Sequence, residues 1–579
     1  MKKFNFRLIL LTIAICIGVI FSAFAQGGTG GEQYTWNGSI SSDWDNLNNW
    51  TPNGIPTGTS EITIPLVVNL PSITGVKTIN DLTINSGASM EIPLGATLNV
   101  NGDIHMYSES NSYASLIVNG TIAVTGTAKY HRFTNSQSNG NDLIAPPLVG
   151  QTWSSFLTSD TNYNEGLIFN NGVQPMTTYL FGPFEKAGTD DYVLYKDDSI
   201  ELLVSGTGYR VATNTGNGEA LIFTGTIATG IVTSTIVNDI TGDFSEWNLI
   251  GNPYPAYIEV GAFLNHIGSV SEVTNLSLLS DTTAAIYGYS ADTSGSGKWT
   301  VLNLATGSTL IAPGQGFFVS SNLPIANLEF TPDMQVLGNA DDFIQGRSSE
   351  TTDYIHLRMH SAVNSSSTSI YFNANATNGL DVGYDAAVFG GDVSNFKLYS
   401  HLVQDNTGLP MSIQTLNTDF GNNVTIPLGV DVSQGEQITF SLEDFDLPDS
   451  IDVYIEDNLT GTSTLLNTSS YTITTATAIN GTGRFLLHFT TNTLSEEDHI
   501  HNALSIYSNP SESTILVEGV LADVTQAAVY DLFGRIVLQK DLDASLNRNV
   551  INATKLSPGV YVVGLQNGKQ SVSQKVLLK

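Results

Sequence analysis

The sequence predicts an all-β, multidomain protein, and three observations predict it. Charged residues are only 13% of the 579-residue chain, about half the quarter usual in globular domains. Thr, Ser, Asn and Gly are abundant instead, which suits short strands joined by many turns. Apolar residues alternate in short runs rather than recurring at helical spacing, and two internal repeats of different length are present.

The first element is not part of the fold. Lys2, Lys3 and Arg7 precede an apolar run over 8–21, and Ala23 and Ala25 form a small-residue cleavage site, so residues 1–25 are expected to be a secretory signal peptide. The run is shorter than the roughly 20 apolar residues that span a bilayer, and no later segment is apolar enough to serve as a transmembrane anchor. Cys16, the one cysteine, lies inside this leader, so disulfides, thiolate zinc and a cysteine nucleophile are excluded from the mature chain. About 550 residues remain, which at roughly 100–200 per domain means three to five domains.

The net charge of −33 is unevenly spread: residues 26–502 hold 48 acidic and 11 basic side chains, whereas residues 503–579 hold six and seven. A body this acidic repels phosphate backbones and anionic lipid, which excludes nucleic acid and membrane surfaces as partners. The shift in composition marks a separate C-terminal module.

Residues 33–130 are expected to form an N-terminal β-repeat domain. Leu82, Met90 and Leu98 stand eight apart, as do Ile84, Ile92 and Val100, with Gly87 and Gly95 keeping the step. Each unit reads as a short strand plus a turn, and units that cannot bury their own apolar faces must stack, as a β-solenoid or a small meander. A longer repeat covers 140–340. Leu143, Ile144 and Pro147 with Phe156 and Leu157 return as Leu249, Ile250 and Pro253 with Phe263 and Leu264, and Gly206, Gly208, Tyr209 and Val211 return as Gly314, Gly316, Phe317 and Val319. Two related β units packed together are expected there. Residues 353–491 are expected to form a β-sandwich, residues 495–501 a linker, and residues 503–579 a set of hairpins with tight turns at Gly534 and at Asn567 and Gly568.

The C-terminal residues resemble a known family, the type A C-terminal sorting domain of the type IX secretion system. The resemblance rests on Tyr507, Asn509 and Pro510, then Val529, Tyr530, Asp531, Gly534 and Arg535, then Leu556, Pro558, Gly559, Val560 and Tyr561, and finally Lys575, Leu577, Leu578 and Lys579. Ser508 stands where the family usually has Pro. The resemblance implies a seven-stranded Ig-like domain read by the type IX translocon and then removed by a sortase-like protease. It also implies a passenger anchored to lipopolysaccharide or released at the outer surface of a Gram-negative bacterium. The run from Trp36, Asn37 and Gly38 to Trp50 resembles a surface repeat of such passengers. Trp247 to Pro255 with Gly314, Gln315, Gly316 and Phe317 resembles a second recurring signature, and Gly379, Leu380, Asp381, Gly383, Tyr384, Asp385 and Ala386 a third; none implies an established activity.

Chemistry is sparse. No His-Glu-x-x-His pair and no Gly-x-Ser-x-Gly elbow occurs, so no catalytic residues are assigned and an enzyme is not expected. Arg358 shares the strand face of His356 and His360 and would repel a metal, and His499 and His501 read as solvated. The run Gly314, Gln315, Gly316 leads into a strand, not a helix, and reads as a turn rather than a phosphate loop. No cofactor is expected; calcium is the one ion that oxygen-rich loops here suggest, at Asp43, Asp45, Asn46 and Asn48 or at Asp381 and Asp385, where turn stabilisation is the competing role. Trp36, Trp44 and Trp50 either cap the first core layer or present faces to a glycan. The functional expectation is a secreted structural or adhesive surface protein. The alternative is an extracellular glycan-binding or glycan-degrading protein, with Asp381 and Asp385 as the carboxylate pair to measure.

Overall fold

The computed structural model describes residues 31–578 apart from 136–140, 174–175, 187–190, 216–217, 240–241, 243, 270–271, 291–297, 342–352, 391–393, 419–423, 492–504, 510–512, 520, 522–524, 532–534 and 567–570. The expected leader with Ala23 and Ala25, the linker, His499 and His501, Pro510, Gly534, the Asn567 and Gly568 turn and Lys579 lie outside the described residues.

The chain is all-β and multidomain, as the sequence predicts. Between residues 33 and 134 it coils as a solenoid. One face is a parallel ladder of Gln33–Trp36, Glu61–Ile64, Asp81–Ile84, Ile104–Glu109 and Ala128–Thr134. A second face stacks Val76–Ile79, Thr97–Val100 and Thr121–Val124, and a third stacks Ser89–Ile92 on Ser115–Val118. The eight-residue step is therefore the length of one face. Leu82, Met90 and Leu98 sit on three different faces and are all fully buried, so alternation aims each coil's apolar side chains at one shared core. Gly87 and Gly95, at φ +73° and +84°, take the left-handed corner conformation that glycine adopts without strain.

The longer repeat is a duplication of topology. The first unit's strands Asp142–Ile144, Tyr209–Val211, Phe181–Glu185 and Asp191–Tyr192 lie side by side in that order. Trp247–Gly251, Gly316–Ser320, Ile286–Ser290 and Lys298–Leu302 repeat the order in the second. Each unit also has a short helix, Trp153–Leu157 or Val260–Asn265, and a two-strand arm: Glu219–Gly225 on Ala128–Thr134, and Ala326–Phe330 on Val232–Ile236. Ala128–Thr134 pairs on its other side with the solenoid, so an unbroken ladder links the coil to the first unit.

The sandwich expected over 353–491 is, among the described residues, one curled sheet of ten strands folded back on itself, from Thr462–Leu465 at one end to Tyr471–Thr474 at the other, with Ala386–Ala387 added at its side. Its two ends return to each other: the Tyr471 hydroxyl donates to the Asp457 carboxylate at 2.8 Å. Arg484 grips the same carboxylate with two N–H groups at 2.9 and 2.7 Å. The C-terminal domain is two sheets of three and four strands closed over Ile515, Val517, Val529, Val563 and Val576, the seven-stranded arrangement expected of it. Among the described residues no helix is long and apolar enough to cross a membrane.

Candidate functional site

The three tryptophans are spent inside the fold. Trp36, Trp44 and Trp50 are at most 1% exposed. Trp50 packs edge-to-face on the other two at 4.9 and 4.7 Å, and the ring N–H groups of Trp36 and Trp50 donate to Asn69 O and Trp44 O at 2.8 and 2.9 Å. With their faces packed on one another and all three rings buried, they plug the end of the solenoid core. The glycan-contact expectation for these residues is corrected on that ground: a sugar needs an open ring face, and none is left.

The calcium candidates are likewise held by the protein's own donors. Asp43 Oδ1 accepts the Asp45 N–H, Asn46 Oδ1 accepts the Asn48 N–H, and both oxygens of Asp45 take the Lys77 ammonium at 2.7 Å. Asp381 accepts from the backbone and hydroxyl of Thr377, at 2.7 and 3.2 Å. Asp385 is fully buried and accepts backbone N–H groups of Asp381 and Thr415, each at 2.6 Å. Burial pushes its carboxyl up to about 7 against the pull of those two donors. A carboxylate enclosed in this way cannot reach a substrate, which removes Asp385 from the proposed glycosidase pair. Its work is to clamp the 377–387 loop onto the strand Met411–Leu416. His356 is buried against the Ser369 hydroxyl at 2.8 Å, and burial lowers its pKa.

The second signature meets the segment that follows the third. Trp247 packs on Phe389 at 4.6 Å and on Tyr287 at 4.8 Å, Phe318 lies 5.4 Å from Phe389, and the Tyr287 hydroxyl donates to Ala387 O. These aromatic contacts weld the second unit to the sandwich. The glycines of the repeat weld the two units to each other, reciprocally. Ala145 N–H donates to Gly314 O at 2.8 Å, and its counterpart Gly251 N–H donates to Gly206 O at 3.1 Å. A Cβ on Gly208 would fall 2.6 Å from Ile250 O, and one on Gly316 would fall 2.8 Å from the carbonyl carbon of Leu143, so only glycine lets these backbones touch. Gln315 breaks the symmetry. Its side chain accepts from the buried Arg132 guanidinium at 2.6 Å and donates to Leu143 O at 3.0 Å, while Arg132 also covers the Tyr113 ring.

One polar cluster stands on the outer face of the solenoid. The His105 and His131 ring nitrogens are 3.2 Å apart, and Tyr107, 38% exposed, stacks on His131 at 4.2 Å. Lys129 beside them bridges Asp103 and Asp160 at 3.6 and 2.9 Å. Asp160 begins three consecutive non-glycine residues at positive φ, a costly conformation. Burial, with help from the neighbouring ring, pushes His131 down to about 4, and burial with Lys129 lowers His105, so both rings are neutral at ordinary pH. Nothing in the sequence marked this cluster, because its members come from two coils and a helix connection. Among the described residues no group of three or more His, Cys, Asp or Glu side chains is placed to hold a metal ion.

In the C-terminal domain Asp531 holds Arg535 through its backbone N–H at 3.0 Å and through Nε at 2.7 Å, tying the end of one strand to the start of the next. The Tyr561 hydroxyl donates back to Ser557 O at 2.8 Å, just upstream of Pro558 and Gly559. Tyr507 is buried, Asn509 is half-buried, and Lys575 is exposed.

Comparison with the curated proteins finds no match. Among solved structures, a two fibronectin type-III domain segment from chicken tenascin is 14% identical, covering 27% of this chain and 99% of that one, at a TM-score of 0.11. A biofilm associated protein BSP domain is 8% identical, covering 78% and 96%, at 0.15. A Ca2+-stabilised adhesin of an Antarctic bacterium, described as helping it reach out and bind ice, is 10% identical, covering 76% and 90%, at 0.10. Superpositions this poor carry no weight for fold or activity. The sequence families are decisive. Residues 505–579 match the secretion system C-terminal sorting domain, so the chain is a cargo of the type IX secretion machinery, exported to the cell surface or beyond it. Residues 35–489 match a family described as a domain of unknown function, DUF8693, and the chain belongs to that family.

Proposed function

We propose that the exported body is a structural or adhesive scaffold on the outer surface of a Gram-negative cell, without enzymatic activity. The observation that supports it most is where the signature residues go. Trp247, Gly316 and Gln315 are consumed in joints between units, through buried aromatic, backbone and charge-assisted contacts, and Asp385 is consumed in clamping a loop within its own domain. Side chains spent on joints favour a stiff body that keeps its units in fixed relation, which suits presenting area at a distance from the cell. The acidic surface keeps such bodies apart and soluble. Removal of the C-terminal domain by a sortase-like protease, and anchoring to lipopolysaccharide or release, belong to the same reading.

A glycan-binding role moves from the tryptophans to the outer-face cluster of His105, Tyr107 and His131, where neutral rings and Lys129 offer both apolar edges and donors. A glycan array on the mature chain tests both readings. Binding that is lost in Tyr107→Ala and kept in Trp44→Phe supports adhesion through this face. Turnover of any polysaccharide by the purified chain would refute the scaffold.

A further inference from the structure

The C-terminal domain is seated on the sandwich by a fitted contact. Glu518, 3% exposed, takes the Arg548 guanidinium at 3.1 Å from within its own domain and the Thr482 hydroxyl from the sandwich. Two sandwich glycines let the surfaces close. A Cβ on Gly483 would lie 2.4 Å from Gly519 N, and one on Gly408 would lie 2.4 Å from the Tyr507 ring; both glycines have positive φ, +107° and +82°. The His401 ring lies 5.7 Å from the Tyr507 ring. Leu402, Pro427 and Leu486 of the sandwich and Ser505, Ile506 and Gln574 of the C-terminal domain line a partly open cavity of about 160 Å³ between them. Leu486 alternates with the core residues Phe485 and Leu487, so it points away from the sandwich core and toward this contact.

We propose that this face of the sandwich is a dock for the C-terminal domain, and that it holds Tyr507 shut until the domain swings away. The proposal rests on the sorting reading of residues 505–579. Tyr507 opens the sorting motif, and in the docked chain its ring is covered by Gly408 and His401. The secretion machinery then first meets side chains that docking leaves exposed, Ile536, Lys575 and Leu577 on the four-stranded sheet and Arg535 just before it. Reading of Tyr507 follows undocking, which couples delivery to the folded state of the sandwich: only a folded sandwich forms the dock.

The mature chain has no cysteine, so a single introduced thiol reports the contact. In the full mature chain carrying Leu486→Cys, a thiol reagent is expected to react at least about tenfold more slowly than with Ser469→Cys, which is exposed. Adding Gly408→Leu, or the milder Thr482→Val, is expected to bring the two rates together. Equal rates in the parent Leu486→Cys chain would overturn the dock. In cells, Gly408→Leu and Thr482→Val are expected to reach the surface faster than the unaltered chain. Thiol exposure in both variants without faster delivery would overturn the gating. Deletion of 505–579 separates the two ideas: undiminished delivery there defeats the sorting reading and leaves the thiol rates standing.

Discussion

The Arg132 guanidinium donates to Oε1 of Gln315 across 2.6 Å, joining the last strand of the solenoid to a turn of the second central unit 183 residues away. Arg132 is fully buried, and it also donates to the carbonyls of Gly314 and Phe133. Replacing Gln315 with Leu leaves a buried cation short of an acceptor, so a loss of about 1.5–3 kcal/mol is expected. Urea unfolding with separate probes in the solenoid and the second unit checks it. The transitions are expected to coincide in the unaltered chain and to separate in Gln315→Leu; coincident transitions at an unchanged midpoint would count against the joint.

Asp457 and Arg484 pin the place where the curled sheet meets itself. Burial opposes ionisation of Asp457, but Arg484, Tyr471 and the Leu459 N–H outweigh it and hold the carboxyl below its usual range. The stabilisation is therefore complete above about pH 3.9, where an unfolded aspartate titrates, and is lost as pH falls through the lower folded value. Asp457→Asn breaks a buried pair, so a cost of about 3–5 kcal/mol at neutral pH is expected. Acid denaturation curves of the two proteins should converge at low pH; curves that stay parallel would contradict the pair.

Asp385 has the opposite sign. Its folded carboxyl titrates near 7, so between about pH 4 and 7 the folded chain keeps a proton that the unfolded chain has lost. Its contribution is present below about pH 4 and falls as pH rises toward 7. Asp385→Asn aims an amide N–H2 at a backbone N–H and is expected to cost about 1–3 kcal/mol. Subtracting the variant's stability from that of the unaltered chain at each pH should give a difference that shrinks from pH 4 to pH 7. A constant difference would mean that the buried carboxyl does not titrate in that window.

Trp44→Ala removes a large buried ring from the solenoid cap, and a loss of about 3–5 kcal/mol is expected, read as a lower Tm of the solenoid transition. A change below about 1 kcal/mol would show that the cap is not packed as described.

Much of the architecture was legible along the chain because period is a local property. Alternation at Leu82 and Ile84, the eight-residue step through Leu98 and Val100, and the offset between Gly206 and Gly314 each report which way a side chain must point for its strand to bury anything. The C-terminal family was legible because its motif residues cluster at turns whose chemistry is local, as at Asp531 and Arg535. What only the tertiary structure decided is what lies opposite those side chains. The sequence left Trp36, Trp44 and Trp50 open between capping and sugar contact. It left Asp385 open between ion ligand, catalyst and turn stabiliser, and it did not point to Arg132, Glu518 or His131. Burial and partnership depend on residues tens to hundreds of positions away, and neither composition nor spacing carries that distance.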